Sequence, residues 1–177
     1  MRYGWAKALV IMGLAATLAA CNRDAASATD GADDAALAEA HAFMTANAKA
    51  EGVQTLPSGV QYKVIRSGPA TGAHPDSNDL VSVHYEGTLT DGEVFDSSYQ
   101  RGVPAVFNAD RVVPGWTEIL QHMRVGDEWI VYLPPELGYG DQSRGPIPAN
   151  SALVFRMELL DLSKVPGEAP PRQSAMG

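Results

Sequence analysis

The side chains able to break or make bonds are few in this sequence, and the usual catalytic groupings are missing. The four histidines, His41, His74, His84 and His122, fall outside the H-x-x-x-H and H-E-x-x-H spacings that bring two imidazoles to one helical face, so no metal site is expected. No G-x-S-x-G, no P-loop and no G-x-G-x-x-G after a strand occurs, which argues against an α/β-hydrolase, a nucleotide binder and a Rossmann enzyme. The one cysteine, Cys21, rules out an intrachain disulfide framework and a multi-cysteine metal site. Nucleophilic catalysis has no candidate. What stands out is a series of aromatic and apolar residues close to turns: Tyr85, Phe95 next to Asp96, Phe107, Val112-Val113-Pro114-Gly115-Trp116, Tyr139 between two glycines, Ile147 and Phe155. Their chemistry is apolar contact with a hydroxyl and a carboxylate at hand. Taken singly, Trp116 and the three phenylalanines read as core residues. Asp96 before Ser97-Ser98 reads as an Asx-turn or cap. Tyr139, flanked by Gly138 and Gly140, has no packing support from its neighbours and marks a close backbone approach.

The elements that must position these residues are short. A chain of 177 residues, 45% hydrophobic and 19% charged, has room for one ordinary domain and an accessory segment. Seventeen Gly and 12 Pro are more than a helical bundle tolerates. Period-two alternation predicts strands over Val60–Val64, Val81–Tyr85, Trp129–Leu133 and Leu153–Leu159. Asp91-Gly92 predicts a hairpin between the strand ending near Leu89 and Val94-Phe95. Trp116, Ile119, Leu120 and Met123 recur at helical spacing after Pro114, which suits a first helical turn. A sheet of short strands with one helix laid across it is an α+β architecture. Ahead of it, Leu37, His41, Met44 and Ala48 predict an amphipathic helix, with Asp33 or Asp34 as N-cap candidates and Gly52 as its stop. The thin stripe of that helix packs on the body or pairs with a second copy.

The head of the chain reads as an export signal. Arg2 and Lys7 precede an uncharged run from Ala8 to Ala20, shorter than the about 20 residues that span a bilayer. Leu18-Ala19-Ala20-Cys21 resembles a bacterial lipobox, in which the Cys21 thiol receives a diacylglycerol before cleavage. Acyl chains of the palmitate kind then anchor the protein to a membrane without spanning it. Asn22, in place of the Asp associated with inner-membrane retention, favours the outer membrane, facing the periplasm. Thirteen Lys and Arg against 21 Asp and Glu give a net charge of -8, which disfavours nucleic acid as a partner. The expected organisation is a lipoprotein signal over 1–20, the lipidated cysteine and a disordered tether over 21–34, the helix over 35–52, the main domain over 53–163 and a frayed tail over 164–177.

Six ordered motifs carry a resemblance. They are Val83-His84-Tyr85-Glu86-Gly87, Gly92-Glu93-Val94-Phe95-Asp96-Ser97-Ser98, Val112-Val113-Pro114-Gly115-Trp116, Met123-Arg124-Val125-Gly126, Pro134-Pro135-Glu136-Leu137-Gly138-Tyr139-Gly140, and Ile147 through Phe155. Together they resemble the FKBP-type peptidyl-prolyl cis-trans isomerases. Asn47 to Val53 with Leu56 to Tyr62 is similar to the bacterial macrophage-infectivity-potentiator and periplasmic FkpA branch of that family. The resemblance covers Ala42 to Asp161.

The resemblance implies a twisted antiparallel sheet wrapped around one short helix. It implies a pocket with Trp116 as its floor and Tyr85, Phe95, Phe107, Val112, Val113, Ile147 and Phe155 as walls. Tyr139 and the Val113 N–H would meet substrate carbonyls, and Asp96 would orient groups at the rim. The implied substrates are proline-containing unfolded or exported polypeptides, the implied ligands rapamycin-type macrolides, and no cofactor is called for. A noncatalytic chaperone or binding module would use the same cleft. Val113 stands where relatives often have Ile, and Asp141 to Pro146 is polar where relatives often add apolar contacts. Only one helix stands where longer relatives have a dimerisation domain, so dimerisation is not carried over.

Overall fold

The computed structural model describes residues 23–166, with side chains from residue 31 onward. The export signal, Cys21 and residues 167–177 of the expected tail lie outside the described residues.

The first element corrects the sequence reading. Helix α1 runs from Arg23 to Asn47, so residues 23–34 are helical where a disordered tether was expected, and Asp33 and Asp34 lie inside the helix. The reason is composition: Ala recurs throughout RDAASATDGADDAALAEAHAFMTAN and holds the helix by propensity where no apolar period marks it. The helix also stops earlier than 52. Ala48 to Glu51 form turns, and Gly52, with φ of 78°, turns the chain into the first strand. The stripe buries Ala40 and Met44 rather than His41, which stays exposed. These two pack with Ala152, Phe43 and Tyr132 in a small cluster apart from the main core. Of the two expected alternatives, the helix packs on the body. Hydrogen bonds fasten it there: Gln61 Nε2 donates to the Met44 carbonyl at 2.8 Å and Asn47 Nδ2 to Gln61 Oε1 at 2.8 Å.

Seven strands follow: β1 (Val53–Thr55), β2 (Gln61–Arg66), β3 (Leu80–Thr88), β4 (Val94–Ser97), β5 (Ala105–Asn108), β6 (Glu128–Leu133) and β7 (Leu153–Ser163). They form one antiparallel sheet in the order β1-β2-β6-β7-β3-β4, with β5 also pairing β3. β3 and β7 show why the alternation is so legible. Every second residue from Val81 to Gly87 and from Leu153 to Leu159 is buried on the concave face. The Asp91-Gly92 hairpin forms as expected. Gly92 takes φ of 92°, and Leu89 N–H donates to the Glu93 carbonyl at 2.9 Å.

Two helices sit between strands. α2 (Ser98–Arg101) is one turn, capped by Ser97, whose hydroxyl accepts from Gln100 N–H. α3 (Pro114–His122) has Pro114 in its first turn and lays Trp116, Ile119 and Leu120 into the sheet. Ile119, Leu120 and Met123 are fully buried among Val81, Val83, Val131, Leu133, Met157 and Leu159. Gly115 lets the helix lie this close, since a Cβ there would collide with the Leu133 side chain.

The expected domain end at 163 moves slightly. Lys164 Nζ donates to the His74 carbonyl at 3.0 Å and pairs with Asp76 and the buried Asp79 at 2.8 and 2.9 Å, while Val165 N–H donates to Asp79 Oδ1. Residues 164 and 165 therefore belong to the body, because a buried carboxylate requires such partners.

Candidate functional site

The curve of the sheet leaves one end of α3 uncovered, and the aromatic residues meet there. Trp116 is 4% exposed. Three rings stand edge-on to its indole: Tyr85 from β3 at 5.1 Å and 85°, Phe107 from β5 at 5.7 Å and 86°, and Phe155 from β7 at 5.1 Å and 80°. Phe95 from β4 continues the wall, edge-on to Phe155 at 5.6 Å. Edge-to-face contacts of this kind fix ring orientation as well as burying area. Gly87 makes the arrangement possible. A Cβ at that position would lie 2.5 Å from Phe95 and 2.8 Å from Phe155.

The resulting cavity has a volume of about 440 Å³ and is lined by Tyr85, Phe95, Asp96, Phe107, Arg111, Val112, Val113, Trp116, Tyr139, Arg144 and Phe155. Nine of the ten pocket residues expected from the sequence therefore come together. Ile147 is not among these lining residues, although it packs in the same buried cluster as Tyr85, Trp116 and Phe155. It is 5% exposed and belongs to the core, and its backbone pairs with Arg144 across a tight turn, at 2.8 and 3.0 Å.

Asp96 is neither an Asx-turn nor a cap, because Ser97 caps α2. This leaves its carboxylate free to accept from the Tyr85 hydroxyl and from Arg101 Nη1. Arg101 Nη2 closes the triangle on the Tyr85 oxygen at 3.1 Å. Burial pushes the Asp96 carboxyl up, but the Tyr85 hydroxyl and Arg101 together outweigh it, and the group is held below the usual carboxylate range. Burial and the neighbouring Asp96 push the Tyr85 hydroxyl up from its ordinary value. At neutral pH the pair is fixed as a charged acceptor and a neutral donor. Arg101 is legible in the sequence only as a cation five residues past Asp96, a spacing that means something once α2 is known to turn the chain between them.

Tyr139 is presented by the turn after Pro135–Leu137. Gly140, at φ of 60°, donates to the Pro135 carbonyl at 2.9 Å and accepts from Asn150 N–H at 2.8 Å. The Arg144 guanidinium lies 5.1 Å above the Tyr139 ring. Val113 is the residue before α3, and its carbonyl accepts from Trp116 N–H and Thr117 N–H. Arg111 and Arg144 were missed as lining residues because cations in polar turns carry no periodic signal.

His84 is committed elsewhere, with Nδ1 3.0 Å from Ser98 Oγ and its ring stacked on Tyr99 at 4.7 Å. Among the described residues no three His, Cys, Asp or Glu side chains gather as a metal site would need. The cavity can hold an apolar ring, orient carbonyls at its rim and exclude water.

Known proteins share this architecture. The family model described as FKBP-type peptidyl-prolyl cis-trans isomerase matches residues 72–160. The chain belongs to the FKBP-type peptidyl-prolyl cis-trans isomerase family. Residues 7–64 match the domain amino terminal to FKBP-type isomerases. FkpA of Aeromonas hydrophila is 52% identical over 122 residues, 69% of this chain and 45% of that protein. The outer membrane protein MIP of Legionella longbeachae is 48% identical over 72% of this chain and 54% of its own length. This FKBP-type chain thus spans about half the length of the curated relatives it matches. Among solved structures, FkpA from Escherichia coli has a TM-score of 0.74 at 40% identity, covering 80% of this chain and 66% of that one. A peptidyl-prolyl cis-trans isomerase from Pseudomonas syringae has a TM-score of 0.68 at 37% identity, covering 74% and 96%. The FKBP-like α+β fold is therefore shared, with the antiparallel sheet wrapped around α3.

Proposed function

We propose that this protein accelerates cis/trans exchange of X–Pro bonds in exported polypeptides. The observation that carries the reading is the aromatic box: Tyr85, Phe107 and Phe155 standing edge-on around the Trp116 floor, a size and shape suited to a proline ring. Rotation about X–Pro meets an amide-resonance barrier of about 18–20 kcal/mol and breaks no bond, so it requires neither nucleophile nor proton relay. The twisted amide is less polar than either planar form. A dry apolar cavity favours it, and donors placed for the twisted geometry bind it better than the ground states. In this reading Trp116 is the floor, Tyr139 O–H and Val113 N–H donate to substrate carbonyls, and ionised Asp96 orients the Tyr85 side of the rim. Uncatalysed exchange takes about 10–100 s, long enough to limit folding.

The test is the exchange rate of a short X–Pro peptide with and without the protein, repeated with a rapamycin-type macrolide. Acceleration abolished by the macrolide is expected. Binding of unfolded chains without acceleration would establish the noncatalytic chaperone instead.

The cell envelope is the proposed location, supported by the name of the Legionella relative and by the lipobox-like Leu18 to Cys21. Lipidation of Cys21 would anchor the domain at the outer membrane, facing the periplasm. Among the described residues no helix is long and apolar enough to cross a membrane. Fatty-acid labelling of the full chain, lost in Cys21→Ser, checks the anchor.

A further inference from the structure

The charged residues of the cavity rim run against the balance of the whole chain. The protein carries 21 Asp and Glu against 13 Lys and Arg. Asp96 is the only acid among the lining residues, and Arg101 neutralises it. The other charged lining residues are Arg111 and Arg144. Both are exposed, and among the described residues neither takes part in an ion pair. Their sequence neighbours Asp110 and Asp141 do not line the cavity. Asp141 Oδ1 accepts from Gln142.

Their placement is defined by the fold. Arg111 directly precedes Val112 and Val113 at the entrance to α3, while Arg144 is held by its backbone pairing with Ile147 and covers the Tyr139 ring. Val113 and Tyr139 are the two groups assigned above to substrate carbonyls. A chain whose proline sits on Trp116 therefore shares the cavity with both guanidiniums.

We propose that Arg111 and Arg144 select X–Pro segments that carry a carboxylate close to the proline. This deepens the isomerase reading of the same cavity and rests on it. Guanidinium stays charged at every accessible pH and binds carboxylate with two parallel hydrogen bonds. Two such groups at an apolar mouth, on an otherwise acidic surface, focus acidic segments into the cleft and turn lysine-flanked ones away.

The experiment measures kcat/KM on the full chain for three proline peptides identical except for Glu, Gln or Lys at one position, placed before the X–Pro pair in one series and after it in another. Wild type is expected to favour Glu over Lys by about three- to tenfold at low salt, falling toward unity at high salt because rim charges are screened. Arg111→Gln with Arg144→Gln should bring the ratio to unity, while Arg111→Lys with Arg144→Lys, which keeps the charge and loses the paired hydrogen bonds, retains a smaller preference for Glu. A wild-type ratio of one, or a preference that survives in the Gln double variant, overturns the proposal. The Gln peptide alone reports on the isomerase reading. No acceleration there defeats that reading and the selection proposal with it, whereas acceleration of all three peptides at equal rates defeats the selection proposal only.

Discussion

The aromatic cavity and the seam beneath α1 are both places where a helix meets the sheet, and they are built on opposite principles. At the cavity, α3 lies in the concave face, and Trp116 interlocks with rings from β3, β5 and β7 that approach at 80 to 86°. Asp96, Tyr85 and Arg101 there are bound to one another in a triangle. Under α1 the apolar contact shrinks to Ala40, Met44 and Ala152 with Phe43 and Tyr132, and polar bonds do most of the joining. Asn150 Nδ2 reaches the Asp33 carbonyl at 3.2 Å, and exposed His41 pairs with exposed Glu136 at 2.6 Å. Apolar interlocking tolerates no small displacement, while hydrogen bonds at an exposed seam can be exchanged for water. The first region holds a geometry; the second holds a position.

Substitutions can break or sharpen that contrast. The largest effect should come from Trp116→Ala, which removes the floor and should cost about 3–5 kcal/mol in urea unfolding. Met44→Ala, at the seam, should cost about 2 kcal/mol. Equal losses would erase the distinction. Next, Asp96→Asn should lower kcat/KM for a proline peptide about tenfold by loosening Tyr85, with the fold retained by circular dichroism. An unchanged rate would remove Asp96 from the proposed site.

The same variant has an acid signature. Asp96 ionises more easily folded than unfolded, so its contribution to stability is complete above the ordinary carboxylate value of about 3.9 and is lost as pH falls through its lower folded value. Melting temperature followed from pH 5 to 2 should fall less steeply in Asp96→Asn than in wild type. The smallest effect belongs to His41→Ala, whose exposed contact with Glu136 should be worth at most about 0.5 kcal/mol. A loss above that would show the seam to be stiffer than its bonds imply.

Much of the fold was legible because its signals are local. Alternation marked β2, β3, β6 and β7, and one helical stripe after Pro114 marked α3. β1, with three residues, and β5, with four, are too short to show a period. The early start of α1 was hidden because alanine propensity leaves no apolar pattern. At the site, Tyr85, Phe95, Trp116, Tyr139 and Phe155 were legible through ordered motifs, since Phe155 alone is indistinguishable from a core residue. Ile147 shows the converse: an apolar side chain beside a turn can serve the core or the cavity, and sequence alone does not separate the two.

By itself, the sequence determined the element types, the Asp91-Gly92 turn and the presence of large rings near chain reversals, because backbone sterics and apolar periodicity act over a few residues. Tertiary structure alone decided which rings surround Trp116, that Tyr85 and Arg101 hold Asp96, and that two arginines, unpaired among the described residues, line the cavity. Those outcomes depend on the register of β3 against β4, β5 and β7. A one-residue slip in any of these pairings would turn that strand's ring away from the cavity.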